Sequence, residues 1–217
     1  MKELFRNAPW RRLVGAAWLP IYLSVFFAAE ALMPGGEEGY WLSTCAWDSY
    51  IPFCEVFVVP YLSWFFLLFG VGVNLWYCHE GPFKRYMILF CISFFSCAVF
   101  WMIVPNIQDL RPETFPRENV FTYAVRFIYG FDTPTNVFPS EHVVGTMAAL
   151  FALVDSGWMK RHPLGALLFW LWGALIIAST LLIKQHALLD VPSGIAVALF
   201  YGVIVYRRRL FGSKSKA

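Results

Sequence analysis

Charge is the scarcest commodity in this 217-residue chain. Only 14% of its residues are Asp, Glu, Lys or Arg, against 59% apolar ones. A soluble domain carries roughly a quarter charged residues, so the deficit excludes an ordinary water-soluble globule and points to an integral membrane protein. Metal-ligand spacing is also missing. The five cysteines (Cys45, Cys54, Cys78, Cys91, Cys97) include no C-x-x-C pair and no histidines at zinc spacing, so neither a metal site nor a resident cofactor is expected. Cys45 and Cys54 share one loop and are the only plausible disulfide, but an odd count with no further staples argues against one. Cys91 and Cys97 read as packing residues of an apolar span. There is no internal repeat, no low-complexity tract, no soluble second domain and no sign of a nucleic-acid partner, so residues 1–217 read as a single membrane domain.

What is present is apolar sequence in lengths that suit a bilayer, which needs about 20 helical residues per crossing. Six spans are expected, at 13–33, 54–76 (interrupted by Pro60), 86–104, 140–158, 164–183 and 187–206, giving an all-α, six-helix polytopic bundle. The first run also imitates a signal peptide at Ala29-Glu30-Ala31, but is longer than a usual signal core. Trp41, Trp47 and Tyr50 in the following acidic loop suggest an interfacial belt. The stretch 105–138 is the longest without a span, and a loop of that length is usually functional or disordered.

Basic residues give the orientation. With the N-terminus inside, the inner segments hold Lys2, Arg6, Arg11 and Arg12, then Lys84 and Arg85, then Lys160 and Arg161, then Arg207, Arg208, Arg209, Lys214 and Lys216, out of 17 in all. Only Arg111, Arg117, Arg126 and Lys184 remain outside. This is the positive-inside pattern of a multi-pass cell-membrane protein with both termini cytoplasmic. It places Arg111, Ser140, His142, Lys184, His186 and Asp190 together at the extracytoplasmic face.

Polar side chains gathered at a membrane edge are costly and so mark a candidate site. His186 and Asp190, four apart, would share a helical face, with the carboxylate orienting the ring as a nucleophile. Equally, the two side chains satisfy each other at a helix end. His142, two crossings earlier, suits a general acid opposite that nucleophile, or is an interfacial histidine with no catalytic part. Ser140 is placed to cap a helix whose free N–H groups attract anions. Arg111 and Lys184 supply positive charge, and Thr180, four residues before Lys184, faces the same cavity if the fifth helix persists that far. The bland readings are a loop arginine and a snorkelling lysine. Together these groups outline a phosphate-sized site that works without a metal.

The pattern resembles the type 2 phosphatidic acid phosphatase superfamily, which also holds vanadium haloperoxidases and the inositolphosphorylceramide and sphingomyelin synthases. Its motifs are K-x6-R-P, P-S-G-H and S-R-x5-H-x3-D. Here Arg111-Pro112 matches the first, Pro139-Ser140-Glu141-His142 the second, and Ser179, His186 and Asp190 the third, all within 105–194. The resemblance implies a six-helix membrane fold, a phosphohistidine on His186, proton transfer by His142 and phosphate contacts from Arg111 and Ser140. Three positions depart from it. Val104 stands in place of the lysine, Glu141 in place of the glycine, and Thr180 in place of the arginine, with Lys184 one turn on as a substitute cation. These departures look more like the inositolphosphotransferase-type branch.

Three functions follow as expectations. The first is a membrane-embedded lipid phosphatase acting on a phosphatidic acid-like or polyprenyl-phosphate-like substrate. The second is a lipid phosphotransferase using the same site, and the third a non-catalytic homologue that binds lipid headgroups.

Overall fold

The computed structural model describes residues 9–32 and 39–210. The basic residues Lys2, Arg6, Lys214 and Lys216, the acidic Glu37 and Glu38, and the end of the first expected span at Met33 lie outside them, as do the side chains around Ala29-Glu30-Ala31.

Among the described residues eight α-helices follow one another: α1 (Trp18–Leu32), α2 (Val58–Cys78), α3 (Glu80–Ile103), α4 (Val120–Phe131), α5 (Glu141–Asp155), the single turn α6 (Trp158–Arg161), α7 (Pro163–Leu182) and α8 (Asp190–Leu210). Short 3-10 helices at Pro9–Ala16, Ala46–Tyr50 and Glu55–Phe57 complete the order. Among the described residues four stretches are long and apolar enough to cross a membrane: Glu55–Cys78, Glu80–Ile103, Pro163–Leu182 and Asp190–Arg207. The first and fourth expected spans are instead 15-residue helices, α1 and α5, which at 1.5 Å per residue reach only about 22 Å. Pro60 does not interrupt α2, because the helix begins at Val58 and a first-turn proline forfeits no intrahelical hydrogen bond. Pro192 sits equally harmlessly in the first turn of α8.

Helix α5 is the axis of the bundle, and its sequence explains why. Gly145, Thr146, Ala148, Ala149 and Ala152 are all buried, and such small residues let neighbouring backbones come close. A Cβ on Gly145 would lie 2.8 Å from the Trp64 indole of α2. Around this axis Leu67, Leu75, Tyr86, Leu89, Leu150 and Ile176 are almost completely buried. The outward faces carry large apolar side chains, such as Phe66 and Phe69 on α2 and Leu164 and Leu168 on α7. An apolar exterior around a packed interior is what a lipid solvent requires, and the chain is a membrane protein.

One end of the bundle is closed by the long connections. Trp41–Leu42 (β1) pairs in parallel with Asn106–Ile107 (β2), and Ile107 bridges Thr135. The stretch 105–138 is therefore ordered, and it contains α4. Asn119 caps α4, its side chain accepting from the backbone N–H of Phe121 (2.9 Å) and Thr122 (3.1 Å). Asn119 Nδ2 also donates to the buried Glu55 (3.1 Å), tying α4 to the start of α2. At the opposite end Arg85 pairs with Asp155 at 2.8 Å. All five cysteines are free thiols, Cys97 buried in the core. Trp41, Trp47 and Tyr50 stand exposed.

Candidate active site

Two separate segments meet at the closed end. The first is the start of α5. Ser140 caps it, with Oγ accepting from Val143 N at 3.4 Å, and is itself completely buried. Two residues on, in the first turn, the His142 ring lies against Tyr61 and Trp64 of α2, each with ring centroids 4.6 Å away. The His142 carbonyl accepts from Trp64 Nε1 (3.0 Å) and Thr146 Oγ1 (2.7 Å), so backbone and ring are both fixed.

The second segment is the connection between α7 and α8. Helix α7 stops at Leu182, and Lys184 turns the chain with a φ of +56°. Thr180 then receives two backbone bonds on its carbonyl, from Gln185 N (2.9 Å) and His186 N (3.1 Å). These bonds fold the chain back and point the His186 ring at α5. The pairing of His186 with Asp190 arises from this turn and not from a shared helical face, since only Asp190 belongs to α8. Asp190 Oδ2 accepts from His186 Nδ1 (3.2 Å) and from Ala187 N (2.8 Å).

The two turns are locked together. Ser140 N donates to Asp190 O (3.2 Å), and Gly194 of α8 passes so near that a Cβ there would sit 2.7 Å from Ser140 O and 2.8 Å from Val143 Cβ. Gly194→Ala is therefore expected to force the two segments apart and destabilise the protein by ~1–3 kcal/mol. A lowered thermal unfolding midpoint of the purified protein in detergent measures this.

The consequence is a direct contact, His142 Nδ1 to His186 Nε2, at 3.2 Å. Its direction follows from the partners. Asp190 accepts only, so His186 holds its proton on Nδ1 and leaves a lone pair on Nε2. His142 Nδ1–H donates to that lone pair, whether or not its other nitrogen is protonated.

The two rings form the floor of a cavity of about 490 Å³, lined by aromatic side chains that include Tyr22, Phe26, Phe94, Trp101, Phe127 and Phe131. Its polar wall consists of Asp132, Thr135, Asn136, Glu141 and Gln185 beside the two histidines. Glu141, which replaces the glycine of the second motif, turns its carboxylate towards α1 and accepts the Tyr22 phenol. Behind the wall Arg111 donates to the carbonyls of Tyr129 (3.1 Å) and Asp132 (2.5 Å) and to Gln185 Oε1 (2.7 Å), and lies over the Tyr129 ring. Gln185 Nε2 continues this layer to Asp132 Oδ2 (2.8 Å), which also accepts the Tyr61 hydroxyl (2.8 Å).

None of the four expected phosphate ligands, Arg111, Ser140, Lys184 and Thr180, lines the cavity, and the last two are turned to other partners. The Lys184 ammonium donates to the carbonyls of Asp48 (3.2 Å) and Ile51 (2.6 Å). It shares no face with Thr180, because α7 has already ended. Burial pulls the Lys184 pKa below its ordinary value, with Asp48 opposing the shift. Thr180 Oγ1 bonds back to Ile177 O (2.8 Å), so its contribution to the site is its carbonyl. Tyr61, Trp64, Asp132 and Gln185 belong to the site without a motif to announce them. Only the position of Gln185, directly before His186, offered a signal.

Residues 86–211 match the profile of the PAP2 superfamily. The chain belongs to that superfamily, whose members are typically phosphatases or phosphotransferases. Searches of curated proteins and of solved structures gave no match. Among the described residues no group of three or more His, Cys, Asp and Glu side chains is arranged to hold a metal ion.

Proposed function

We propose that this protein is a metal-independent lipid phosphatase that works through a phosphohistidine on His186. The observation that carries the proposal is the His142–His186–Asp190 relay on the floor of an aromatic cavity. An apolar chain fits the aromatic walls while its phosphate meets the rings. The Nε2 lone pair of His186 attacks phosphorus, and the bond from phosphorus to the lipid oxygen breaks. His142, in its protonated form, gives its proton to that departing oxygen. The neutral His142 then takes a proton from water as the water oxygen attacks phosphorus. The N–P bond breaks, and its electron pair returns to His186.

At 3.2 Å the two nitrogens leave no room for phosphorus between them, so phosphate entry opens the bond between the rings and redirects the His142 proton to the leaving oxygen. Asp190 stabilises the positive charge that His186 acquires on phosphorylation. The free N–H groups in the first turn of α5 face negative charge favourably, and the Arg111 guanidinium behind Gln185 adds positive charge to that side of the cavity. The distribution of basic residues supports six spans, cytoplasmic termini and a site on the extracytoplasmic side.

A second reading is transfer of the phosphoryl group to an alcohol. Asp132 and Glu141 in the wall favour it, because carboxylates accept hydrogen bonds from the hydroxyls of a polyol. Purified protein given phosphatidic acid with and without an added lipid alcohol or inositol separates the two. Free phosphate in both cases supports the phosphatase, and phosphate appearing only on the added alcohol overturns it.

A further inference from the structure

The segment that carries His186 is held by parts of the chain remote from it in sequence. The Leu182 carbonyl accepts from Cys54 N (2.8 Å), that of Ile183 from the Tyr129 hydroxyl (2.5 Å), and that of Lys184 from Gln108 Nε2 (3.0 Å). Past the histidine, Leu188 N donates to Asp48 Oδ1 (2.7 Å), while Asp48 Oδ2 accepts Cys45 N (2.8 Å). Asp48 is 2% exposed and Lys184 8%.

The turn Ala46–Tyr50 and the segment 184–188 thus grip each other twice, once on each side of His186. On one side the Lys184 ammonium binds the carbonyl of Asp48 in the turn and that of Ile51 just after it. On the other the Asp48 carboxylate binds the Leu188 amide. Lys184 also occupies the left-handed backbone region, where glycine is the undemanding choice and a long side chain costs energy. The bonds of its ammonium offset that cost. A side chain kept at such a position is tied to what its far end does.

We infer that Lys184 and Asp48 are positioning residues, a two-sided clamp that sets the height and direction of the His186 ring. The inference rests on the reading of His186 as nucleophile and removes Lys184 from the phosphate ligands. Since nucleophilic attack is sensitive to about an ångström of misplacement, loosening the clamp lowers turnover far more than it alters substrate binding.

The test uses the full chain in detergent, comparing Lys184→Met, Lys184→Arg, Asp48→Ala and Asp48→Asn with the wild type. Lys184→Met and Asp48→Ala are expected to lower kcat by ~10- to 100-fold, with KM and half-inhibition by orthovanadate, a mimic of the transferring group, changed by no more than about twofold. Lys184→Arg keeps donors for both carbonyls, and Asp48→Asn keeps an acceptor for Leu188 N, so both retain more activity than the truncations. Amide hydrogen exchange gives a second readout that needs no turnover. Exchange at Leu188 and its neighbours is expected to speed up in Lys184→Met and Asp48→Ala, with α3 unchanged. A raised KM and tenfold weaker vanadate inhibition in Lys184→Met, at normal exchange, would make Lys184 a phosphate ligand and overturn the clamp. Unchanged exchange in both truncations also overturns it. A wild type that releases no phosphate removes the proposed function, while exchange still decides the clamp.

Discussion

His186→Ala is expected to lower phosphate release by at least about 10⁴-fold, the scale on which removal of a covalent nucleophile acts. No other lone pair stands in its place: the nearest ring, His142, points its Nδ1–H towards the vacated position. The loss should extend to every substrate, including an aryl phosphate with a good leaving group, because the bond that fails to form is common to all of them. Phosphate trapped on the protein after acid-free quenching with radiolabelled substrate should vanish with it. Activity of the alanine variant within tenfold of wild type, at an unchanged unfolding midpoint, would refute the phosphohistidine.

His142→Gln produces a different pattern. General acid catalysis is worth about 10²–10⁴-fold, and that whole factor is expected to disappear for a lipid phosphate, whose alkoxide leaves only with a proton. An aryl phosphate leaves as a stabilised phenolate and should lose much less. Glutamine is close to histidine in length and still fits between Tyr61 and Trp64, so the pocket survives the change. Equal losses on both substrates would mean that His142 shapes the site or binds phosphate and transfers no proton.

The contrast between these two variants follows from an arrangement that is partly legible in the amino-acid sequence. His142, His186 and Asp190 stand out in the sequence because a polar side chain at the end of an apolar run needs a reason. The helices α2, α3, α7 and α8 are equally visible, since nothing but a bilayer calls for apolar runs of such length. Helix α4 was not visible as a helix: 12 residues inside a proline-containing stretch give a weak signal, and the residue that caps it, Asn119, is also tied to Glu55, 64 residues away. Asp132 and Tyr61 escaped for the same reason. Each is an ordinary residue until Gln185 brings them into one hydrogen-bonded layer.

Lys184 shows the limit most sharply. One helical turn beyond Thr180 it reads as a phosphate cation, but α7 ends two residues before it and its ammonium binds the carbonyls of Asp48 and Ile51 instead. Where a helix stops is decided by competition between its own next hydrogen bond and partners offered by distant segments, here Cys54 N on Leu182 O and Tyr129 on Ile183 O. Sequence alone determined that this chain belongs in a membrane and singled out two histidines and an aspartate at the ends of apolar runs, because burial of apolar length and avoidance of stranded charge are local energies summed along the chain. Where the Arg111 and Lys184 side chains point was decided by the tertiary structure, because a side chain's direction depends on acceptors that only folding brings within about 3 Å.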